Sequence, residues 1–572
     1  MNILSVRWGH DSSAALIVDG VIVADVAEER FSRVKNDTSF PVKSIEYCLK
    51  VGNIDSEELD VLAIPTKDFQ QEFSVFFNIP ASIMPRKNLT LKQKITQNIK
   101  KIVGKKDDLP ILPIYQKPWK LSQNCKIVLV EHHLAHIASA AYTSGIDLNE
   151  KVLGVTLDGI GDNVSVAIWR IQNNKIENLI QYSGNGSLGW FYANATEAMG
   201  WRHGSEEWKV MGFAPYGIPK EGLLKGYYPE YQDGMLIKPH EYGSFGRWKD
   251  HGSNHYHGRD SIPMSKIFES VKPEDFSAEV QRVSEEQAFN LLLPWLEKEN
   301  TRQLVCAGGF FMNVKFNQNL WYKGVLDTQW IYPNPGDAGL AVGAALYVYY
   351  QKNPLLQHPK LDNLYSGPEY SNEEIQKILD DRSIEYTYYE NIEEQTASYL
   401  AKNLVVGWFQ GRMEAGPRAL GNRSILMSPL DPTNKDKINA KVKYREKFRP
   451  FCPSIADEMY EEYLVNPREE LFMVSSFTAK EGMKARIPAV IHEDNTARPQ
   501  RVKEKINPRY YRVISEFGKI TGESILLNTS FNIKGEPIVC NPREAIKCFY
   551  DTGLDILVLG NYLIRKSNIE QL

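Results

Sequence analysis

Residues 411–426 read GRMEAGPRALGNRSIL and hold three arginines and three glycines within sixteen residues, with Glu414 between them. Glycine lets a backbone come close to a ligand, and the rigid guanidinium fork matches phosphate geometry better than a lysine ammonium does. A surface turn with a solvated charge run is the alternative interpretation. Because so many cations are costly to bury in an apolar core, we favour a phosphate-binding role for this segment.

Two further segments mix cations with aromatic or small polar residues. Residues 443–454 read KYREKFRPFCPS, and residues 528–539 read NTSFNIKGEPIV. Another arginine, Arg498, follows Thr496 and Ala497 in TARPQRV. The segments together predict a polyanion site assembled from separated parts of the chain.

A pair of histidines could bind a metal. The stretch EHHLAHIASAAY at residues 131–142 has the small and apolar composition of a helix, and a helix places residues i and i+4 on one face. His132 and His136 would therefore lie together, while His133 lies off that face and is expected to pack or to support the site. Neutral imidazole accepts Zn, Fe, Ni or Cu, so the pair does not select one metal. A structural or incidental pair is the alternative interpretation.

The elements that would carry these residues occur twice. Residues 2–6 are expected to form a buried strand, followed by a turn at Gly9–Ser13 and a hairpin about Asp19 and Gly20. A second strand at Lys151–Leu157 is followed by the turn DGIGDN and a hairpin about Asn173 and Asn174. Such hairpins are common singly, but their repetition is typical of the duplicated actin-like and sugar-kinase fold.

Later segments predict a second phosphate site and a boundary. A helix is expected from Phe276 to Leu293, with Pro294 as its stop or kink. The strand Leu304–Ala307 runs into a glycine pair, and a helix N-terminus placed there favours anions. Residues 352–371 contain three prolines without clear periodicity, which indicates a linker.

Size and composition restrict the class of protein. A chain of 572 residues is too long for one core, and its net charge of −4 argues against an extended nucleic-acid surface. We expect no signal peptide and no membrane span. The six cysteines form no CxxC pair, so neither a disulfide framework nor a zinc ribbon is indicated. A reduced, cytoplasmic enzyme is the expectation.

The motifs GRMEAGPRALGNRSIL, KYREKFRPFCPS, TARPQRV and LLNTSFNIKGEPIV together resemble the O-carbamoyltransferases of the nodulation and antibiotic-tailoring (NodU/TobZ) type. The resemblance implies an α/β protein: a duplicated actin-like domain over residues 1–350, a linker over 351–371 and a YrdC-like domain over 372–572. It implies that the second domain forms carbamoyl-adenylate and pyrophosphate from ATP and carbamoyl phosphate. The first domain would pass the carbamoyl group to a hydroxyl and release AMP.

The resemblance also implies residue roles. His10, a candidate general base, would act in transfer with Asp11, Glu207 and Lys209, since the segments 187–200 and 206–217 resemble those lining the transfer site. The metal ligands would be His132, His136, Asp158 and Asp337. A nucleotide in the first domain would meet Gly159, Gly308, Gly309 and Asn313. ATP and carbamoyl phosphate in the second domain would meet Arg418, Lys443, Arg449, Arg498, Asn528 and Ser530.

The expected cofactors are a divalent metal in the first domain, with iron(II) favoured, and Mg²⁺ accompanying ATP. The expected partners are ATP, carbamoyl phosphate and a small-molecule hydroxyl acceptor, without nucleic acid or membrane, and a homodimer is a candidate assembly. A tRNA threonylcarbamoyl-transferase-like enzyme and an actin-like ATPase remain alternatives. The sequence does not identify the acceptor, and it assigns no role to the lysine-rich segment 83–105 or the histidine-rich segment 238–260.

Overall fold

A five-stranded sheet forms the start of the chain in the computed structural model, which describes residues 1–70, 73–80, 82–85, 118–250, 253–444, 449 and 451–566, without the side chains of 246–255. Its strands are β1 (Asn2–Arg7), β2 (Ser13–Val18), β3 (Val21–Ala27), β4 (Val61–Ile64) and β5 (Lys126–Leu129). Their spatial order is β3-β2-β1-β4-β5. The first three strands pair antiparallel, with Leu4 opposite Leu16, and β4 and β5 continue the sheet in parallel.

A second sheet repeats this arrangement. Its strands are β6 (Val152–Gly161), β7 (Val164–Gln172), β8 (Lys175–Tyr182), β9 (Gln303–Ala307) and β10 (Thr328–Ile331), in the order β8-β7-β6-β9-β10. Again the first three strands are antiparallel and the last two parallel. The predicted internal repeat is therefore confirmed in a mixed α/β architecture. Strand β6 extends through Gly161, so the predicted turn is shorter and lies at Asp162 and Asn163.

Two helices fill the space between these sheets. The His132–Ala141 helix packs on the second sheet, the Leu340–Lys352 helix packs on the first, and the two helices contact each other. They approach so closely at Gly343 that a Cβ there would lie 1.9 Å from the carbonyl oxygen of Ala135. The other helices before residue 353 are Glu29–Ser32, Val42–Gly52, Phe73–Phe76, Leu188–Ala198, Glu207–Phe213, Ser261–Phe268, Pro273–Glu299 and Val314–Tyr322.

The long helix corrects one sequence expectation. It runs over Pro273–Glu299 with Pro294 inside it, instead of stopping there. Proline removes one backbone donor and crowds the preceding turn, but a kinked helix can continue when its face is packed. Buried Leu291, Leu292 and Leu296 on both sides of Pro294 provide that packing.

An eight-stranded sheet organises the C-terminal region, defined here as residues 372–566. Its strands are β11 (Thr387–Tyr388), β12 (Val406–Phe409), β13 (Arg423–Met427), β14 (Cys452–Ala456), β15 (Gln500–Val502), β16 (Ile525–Ser530), β17 (Ile556–Leu559) and β18 (Tyr562–Arg565). Their order is β11-β18-β17-β12-β13-β16-β14-β15. Alternating residues serve separate cores on its two faces: Leu557 lies in one and Val558 in the other. The helices are Asn372–Asp380, Ile392–Ala401, Thr433–Ile438, Tyr460–Tyr463, Met483–Arg486, Pro508–Thr521 and Pro542–Asp551.

The two segments without an assigned role differ in what can be said of them. Most of the histidine-rich segment 238–260 forms a strand pair, Ser244–Asp250 with Ser253–Gly258. Residues 86–105 of the lysine-rich segment lie outside the described residues. No helix in the described ranges is long and apolar enough to cross a bilayer.

The arginine-rich segment 411–426 is fixed by its own charged side chains. Glu414 Oε1 accepts N–H groups from Leu420, Asn422 and Arg423 at 2.7–3.1 Å. The Arg423 guanidinium is fully buried, donates to four carbonyl oxygens, and lies 3.6 Å from the Phe409 ring centroid. Arg412 donates to the carbonyls of Val23 and Ser366. Two of the three arginines are thus structural.

We predict that Arg423→Met lowers the free energy of unfolding by about 3 kcal/mol, because several buried carbonyls lose a charged donor. The matched control is Arg382→Met, since Arg382 is exposed and its side chain donates only to the Ile378 carbonyl among the described residues. The control should change stability by less than about 0.5 kcal/mol. Guanidinium denaturation measures both, and equal midpoints would contradict a structural role for Arg423.

Candidate functional site

Two histidines and two aspartates converge at the centre of the N-terminal part. His132 Nε2 lies 3.4 Å from Asp158 Oδ2 and 3.6 Å from Asp337 Oδ1, while His136 Nε2 lies 3.9 Å and 3.7 Å from the same oxygens. One ligand atom from each residue falls within 4.8 Å of all the others. We call these four residues the metal-ligand cluster. The structure brings together the set that the family resemblance implied.

Local sequence positions the two histidines. The His132–Ala141 helix begins where Glu131 accepts the Leu134 N–H at 2.6 Å and Asp162 accepts the His132 N–H at 2.9 Å. These carboxylates satisfy helix N-terminal donors that would otherwise be unpaired. Gly161 lies against the His132 ring, where a Cβ would come within 2.2 Å. Glycine at 161 is therefore needed for the ring to reach the cluster.

Each aspartate is held by one oxygen and presents the other to the histidines. Asp158 Oδ1 accepts the Gly309 N–H at 2.9 Å, and Asp337 Oδ2 accepts from Arg7 Nη2 at 2.6 Å. Burial opposes ionisation of Asp337, but Arg7 and His132 hold its pKa well below the usual range. The oxygens that face the histidines are therefore anionic and are fixed in place.

The donor set fits a divalent transition metal. His136 Nε2 is buried and has no hydrogen-bond partner among the described residues, although it points at the two carboxylates. Burial lowers the pKa of His136, but the two carboxylates outweigh it and raise that pKa to about 9. The two carboxylates stabilise a positive charge on His136, and they would stabilise a bound metal cation in the same way. A metal takes neutral imidazole and ionised carboxylate as ligands.

His133 has a separate role. It is fully buried, with Nδ1 2.8 Å from Thr156 Oγ1 and Nε2 2.9 Å from the Val164 carbonyl oxygen. Burial and the neighbouring His132 lower its pKa to about 3, so it is neutral. Both ring nitrogens are engaged within the fold, as expected for a residue off the ligand face.

His10 and Asp11 form a pair beside the cluster. His10 Nδ1 lies 3.0 Å from Asp11 Oδ2, and Asn36 donates to Asp11 Oδ1 at 2.8 Å. The Asp11 carboxylate raises the pKa of His10 to about 9 against the effect of burial, and Asp337 adds to the rise. The ordinary histidine pKa of about 6.5 does not apply to His10 in this arrangement.

The other two predicted transfer residues lie on the Glu207–Phe213 helix. Glu207 accepts the Gly204 N–H, and a Cβ at Gly204 would lie 3.5 Å from His10 Nε2. Burial raises the pKa of the Glu207 carboxyl. Lys209 is buried, pairs with Glu206 and lies 5.3 Å from the ring centroid of Trp201. His10 and Glu207 thus meet at Gly204, whereas Lys209 turns toward Glu206.

The residues predicted to bind a nucleotide in the first domain lie near Asp158 or at the start of a helix. Gly308 has φ 103°, and its N–H donates to the Pro335 carbonyl at 2.8 Å. The Gly309 N–H is taken by Asp158. Gly159 follows Asp158 directly and has open space at its Cβ position. Asn313 caps the Val314–Tyr322 helix through the Phe316 N–H at 3.0 Å.

A cluster of cationic side chains lies in the C-terminal region. Arg498 donates through Nε and Nη2 to Cys452 Sγ at 3.0 and 2.8 Å. Burial together with the neighbouring Arg498 lowers the pKa of Arg418 to about 9. Neither arginine has a carboxylate partner within the described part of the chain. Two adjacent guanidinium groups without a carboxylate partner in the described residues could bind an anion, and we call Arg418 and Arg498 the arginine pair.

The remaining predicted residues of this region surround the same strands. Lys443 Nζ contacts Ser530 and donates to the Asn532 carbonyl at 2.9 Å. Asn528 is buried, donates to Ser454 Oγ at 3.1 Å and to the Ala419 carbonyl at 3.2 Å. Its Oδ1 has no hydrogen-bond partner in the part of the chain that the structure describes. Asn528 thereby fixes the backbone beside Arg418.

Sequence reasoning missed several supporting residues. Arg7, which anchors Asp337, is a charged residue at the end of a mostly buried strand, and that position was the available signal. Asp162, which begins the histidine helix, was read only as part of a turn. Cys452 contacts Arg498, and Trp208 contacts Arg449. No sequence pattern around Cys452 or Trp208 indicated these contacts.

Comparisons with known proteins match both parts of the chain to a single family. A family model described as Carbamoyltransferase N-terminus matches residues 2–346, and one described as Carbamoyltransferase C-terminus matches residues 397–566. Nodulation protein NolNO of Sinorhizobium fredii is 32% identical over 97% of this chain and 79% of its own length. An uncharacterised protein of Synechocystis sp. is 33% identical over 98% of this chain and 95% of its own.

Structures of HypF and MreB5 are among the solved structures similar to this chain. Full-length HypF in a phosphate- and nucleotide-bound form is 15% identical, covers 61% of this chain and 55% of its own, and has a TM-score of 0.33. MreB5 of Spiroplasma citri bound to AMPPNP is 11% identical, and the match covers 62% of this chain and 96% of MreB5, with a TM-score of 0.27. Scores of this size do not by themselves establish a shared fold, so the evidence for duplication is the repeated strand order.

We predict that His132→Ala and His136→Ala lose bound transition metal, since each removes one of four ligands. His133→Ala is the matched control on the same helix and should retain the metal, although it loses stability. Inductively coupled plasma mass spectrometry of the purified variants measures the metal content. Equal loss from all three variants would contradict the assignment of the ligand face.

Proposed function

Since the chain belongs to the carbamoyltransferase family, we propose that this carbamoyltransferase is ATP-dependent and carbamoylates a hydroxyl of a small molecule. The observation that carries the ATP-dependent step is the arginine pair, Arg418 and Arg498, which stand together without a carboxylate in the described residues. Such a pair suits a triphosphate or a carbamoyl phosphate. We further propose a transfer domain over residues 1–350, a linker over 351–371 and a YrdC-like, adenylate-forming domain over 372–572.

The first half-reaction would take place at the arginine pair. Water splits carbamoyl phosphate into carbamate and phosphate, and a carbamate oxygen then attacks the α-phosphorus of ATP. The bond from that phosphorus to the bridging oxygen breaks, pyrophosphate leaves, and carbamoyl-adenylate forms. Bringing two anions together requires fixed positive charge. Arg418, Arg498, Lys443 and Arg449 would supply it, with Mg²⁺ on the phosphates of ATP.

Two polar residues would orient the oxygens in this half-reaction. Asn528 has a carboxamide oxygen without a partner, and its amide nitrogen is held by Ser454 and Ala419. Ser530 donates to Asn532 Oδ1 at 2.6 Å. Side chains held by such bonds need little reorganisation when a ligand arrives, which favours stabilisation of the transition state.

The second half-reaction would take place near His10. The acceptor oxygen attacks the carbamoyl carbon, the bond from that carbon to the adenylate oxygen breaks, and AMP leaves. Neutral His10 would receive the hydroxyl proton at Nε2, since Nδ1 faces Asp11. The metal-ligand cluster would hold a divalent cation, for which we favour iron(II). When bound, that cation supplies Lewis acidity to the carbamoyl oxygen.

Two measurements test the proposal. Pyrophosphate release from ATP should depend on carbamoyl phosphate, which neither an actin-like ATPase nor a threonylcarbamoyl transferase would require. Mass spectrometry of hydroxylated candidate acceptors should then show a gain of one carbamoyl group together with AMP. Pyrophosphate or phosphate release that is indifferent to carbamoyl phosphate would overturn the proposal.

We predict that Arg418→Ala abolishes carbamoyl-adenylate formation, because it removes a charge-assisted contact to a polyanion. The variant should still transfer a carbamoyl group from carbamoyl-adenylate supplied externally. Arg382→Ala, at an exposed helix end, is the matched control and should behave as wild type in both assays. Normal pyrophosphate release by Arg418→Ala would show that adenylation occurs elsewhere.

We predict that His10→Asn lowers transfer by about two to four orders of magnitude, the usual contribution of a general base. Adenylation in the C-terminal region should be unchanged. Transfer assays with supplied carbamoyl-adenylate measure this step directly. A loss of only a few-fold would place the base at another residue, with Asp11 and Glu207 as the next candidates.

The pH profile of transfer provides an independent prediction. Because Asp11 raises the pKa of His10 to about 9, the neutral base is populated only as pH rises toward that value. Asp11→Asn removes the anion, so the acidic limb of the profile should move down toward pH of about 6.5. Asp19→Asn is the matched control, since Asp19 also has positive φ but lies in an exposed hairpin. Coincident profiles for wild type and Asp11→Asn would contradict this role.

A further inference from the structure

One short helix joins the transfer site to the C-terminal region. On the Glu207–Phe213 helix, Glu207 faces Gly204, next to His10 Nε2. The next residue, Trp208, lies under the guanidinium of Arg449, which is 3.8 Å from the ring centroid. Successive residues therefore contact the proposed base on one side and a proposed phosphate-binding cation on the other.

The contact belongs to a closely packed boundary between the two regions. Lys315 pairs with Asp494 at 2.6 Å, and Asn317 donates to the Val474 carbonyl at 2.7 Å. Trp321 donates to the Asn466 carbonyl at 3.0 Å. Arg449 is itself 7% exposed, so its charge lies in a desolvated position over the Trp208 face. An aromatic face stabilises a cation most strongly where water is excluded.

The ring has little freedom to leave this position. Trp208 Nε1 donates to the Ser205 carbonyl at 3.0 Å, which fixes the indole on its own turn. Lys209 Nζ lies 5.8 Å from the Trp208 ring centroid and is held by Glu206. A displacement of Trp208 would therefore move the adjoining Glu207 and, with it, the Gly204 turn beside His10.

We propose that Trp208 is a positioning residue that couples the two half-reactions. The Arg449–Trp208 stack excludes bulk water at this boundary, so that carbamoyl-adenylate formed at the arginine pair reaches the acceptor near His10 before it escapes. An anion bound to Arg449 contacts the same guanidinium that stacks on the Trp208 ring. Occupation of the C-terminal site therefore changes the Arg449–Trp208 contact. This inference rests on the proposed function.

Coupling is measured as carbamoylated acceptor formed per pyrophosphate released, together with the carbamoyl-adenylate found in solution. Trp208→Phe retains an aromatic face, whereas Trp208→Leu retains apolar bulk without one, and both lose the bond to Ser205. We expect Trp208→Phe to keep the wild-type ratio and Trp208→Leu to lower it about fivefold or more. Adenylation by Trp208→Leu should stay within a few-fold of wild type. Trp295→Ala, a tryptophan away from this boundary, should leave the ratio unchanged.

Several outcomes distinguish this inference from the proposed function. A wild type without carbamoyl phosphate-dependent pyrophosphate release overturns the proposed function and the coupling with it. A wild type that releases pyrophosphate, with the same ratio in Trp208→Leu, overturns the coupling alone. Should Trp208→Leu fail to fold, Arg449→Lys removes the planar stack from the other side while keeping the charge. Its ratio should fall as well, and an unchanged ratio would refute the coupling.

Discussion

The burial of two carboxylates against two imidazoles is the constraint on which the rest of the site depends. Buried anions are unfavourable unless they are paired and hydrogen-bonded. Asp158 and Asp337 each give one oxygen to a fixed donor, the Gly309 N–H and the Arg7 guanidinium, and turn the other toward His132 and His136. The remaining negative potential needs a cation between them, which a proton on His136 or a divalent metal can supply.

Duplication of the sheet explains how distant residues meet this constraint. Arg7 ends β1, Asp158 lies in β6, and Gly309 follows β9, so donors and carboxylates come from corresponding parts of both copies. The two central helices lie between the sheets and bring His132 and Asp337 together from opposite copies. Because the helix approach at Gly343 leaves no room for a Cβ, the relative position of the copies is closely fixed.

The sequence predicted the features that follow from local pattern. The repeat, both hairpins and the ligand helix are confirmed, since period and turn chemistry are local properties. It could not separate the arginines of one motif: Arg412 and Arg423 bond to carbonyls, while Arg418 adjoins Arg498 from a distant segment. Pro294 was expected to end or kink a helix that in fact continues, because tertiary packing decides that outcome. The His10 pKa likewise depends on a neighbour's orientation, which sequence does not reveal.

The two proposed half-reactions require opposite electrostatic surroundings, which accounts for two sites in one chain. Adenylation brings anions together and is favoured by the unbalanced arginine pair. Proton removal by His10 is favoured by the Asp11 carboxylate, which increases the basicity of the imidazole, and cations such as Arg7 oppose that increase. In a single site, the arginines and the Asp11 carboxylate would neutralise each other's charge. Separation resolves the conflict but would oblige a labile intermediate to travel. Glu207, Trp208 and Arg449 link the Gly204 turn beside His10 to the C-terminal region by direct contacts.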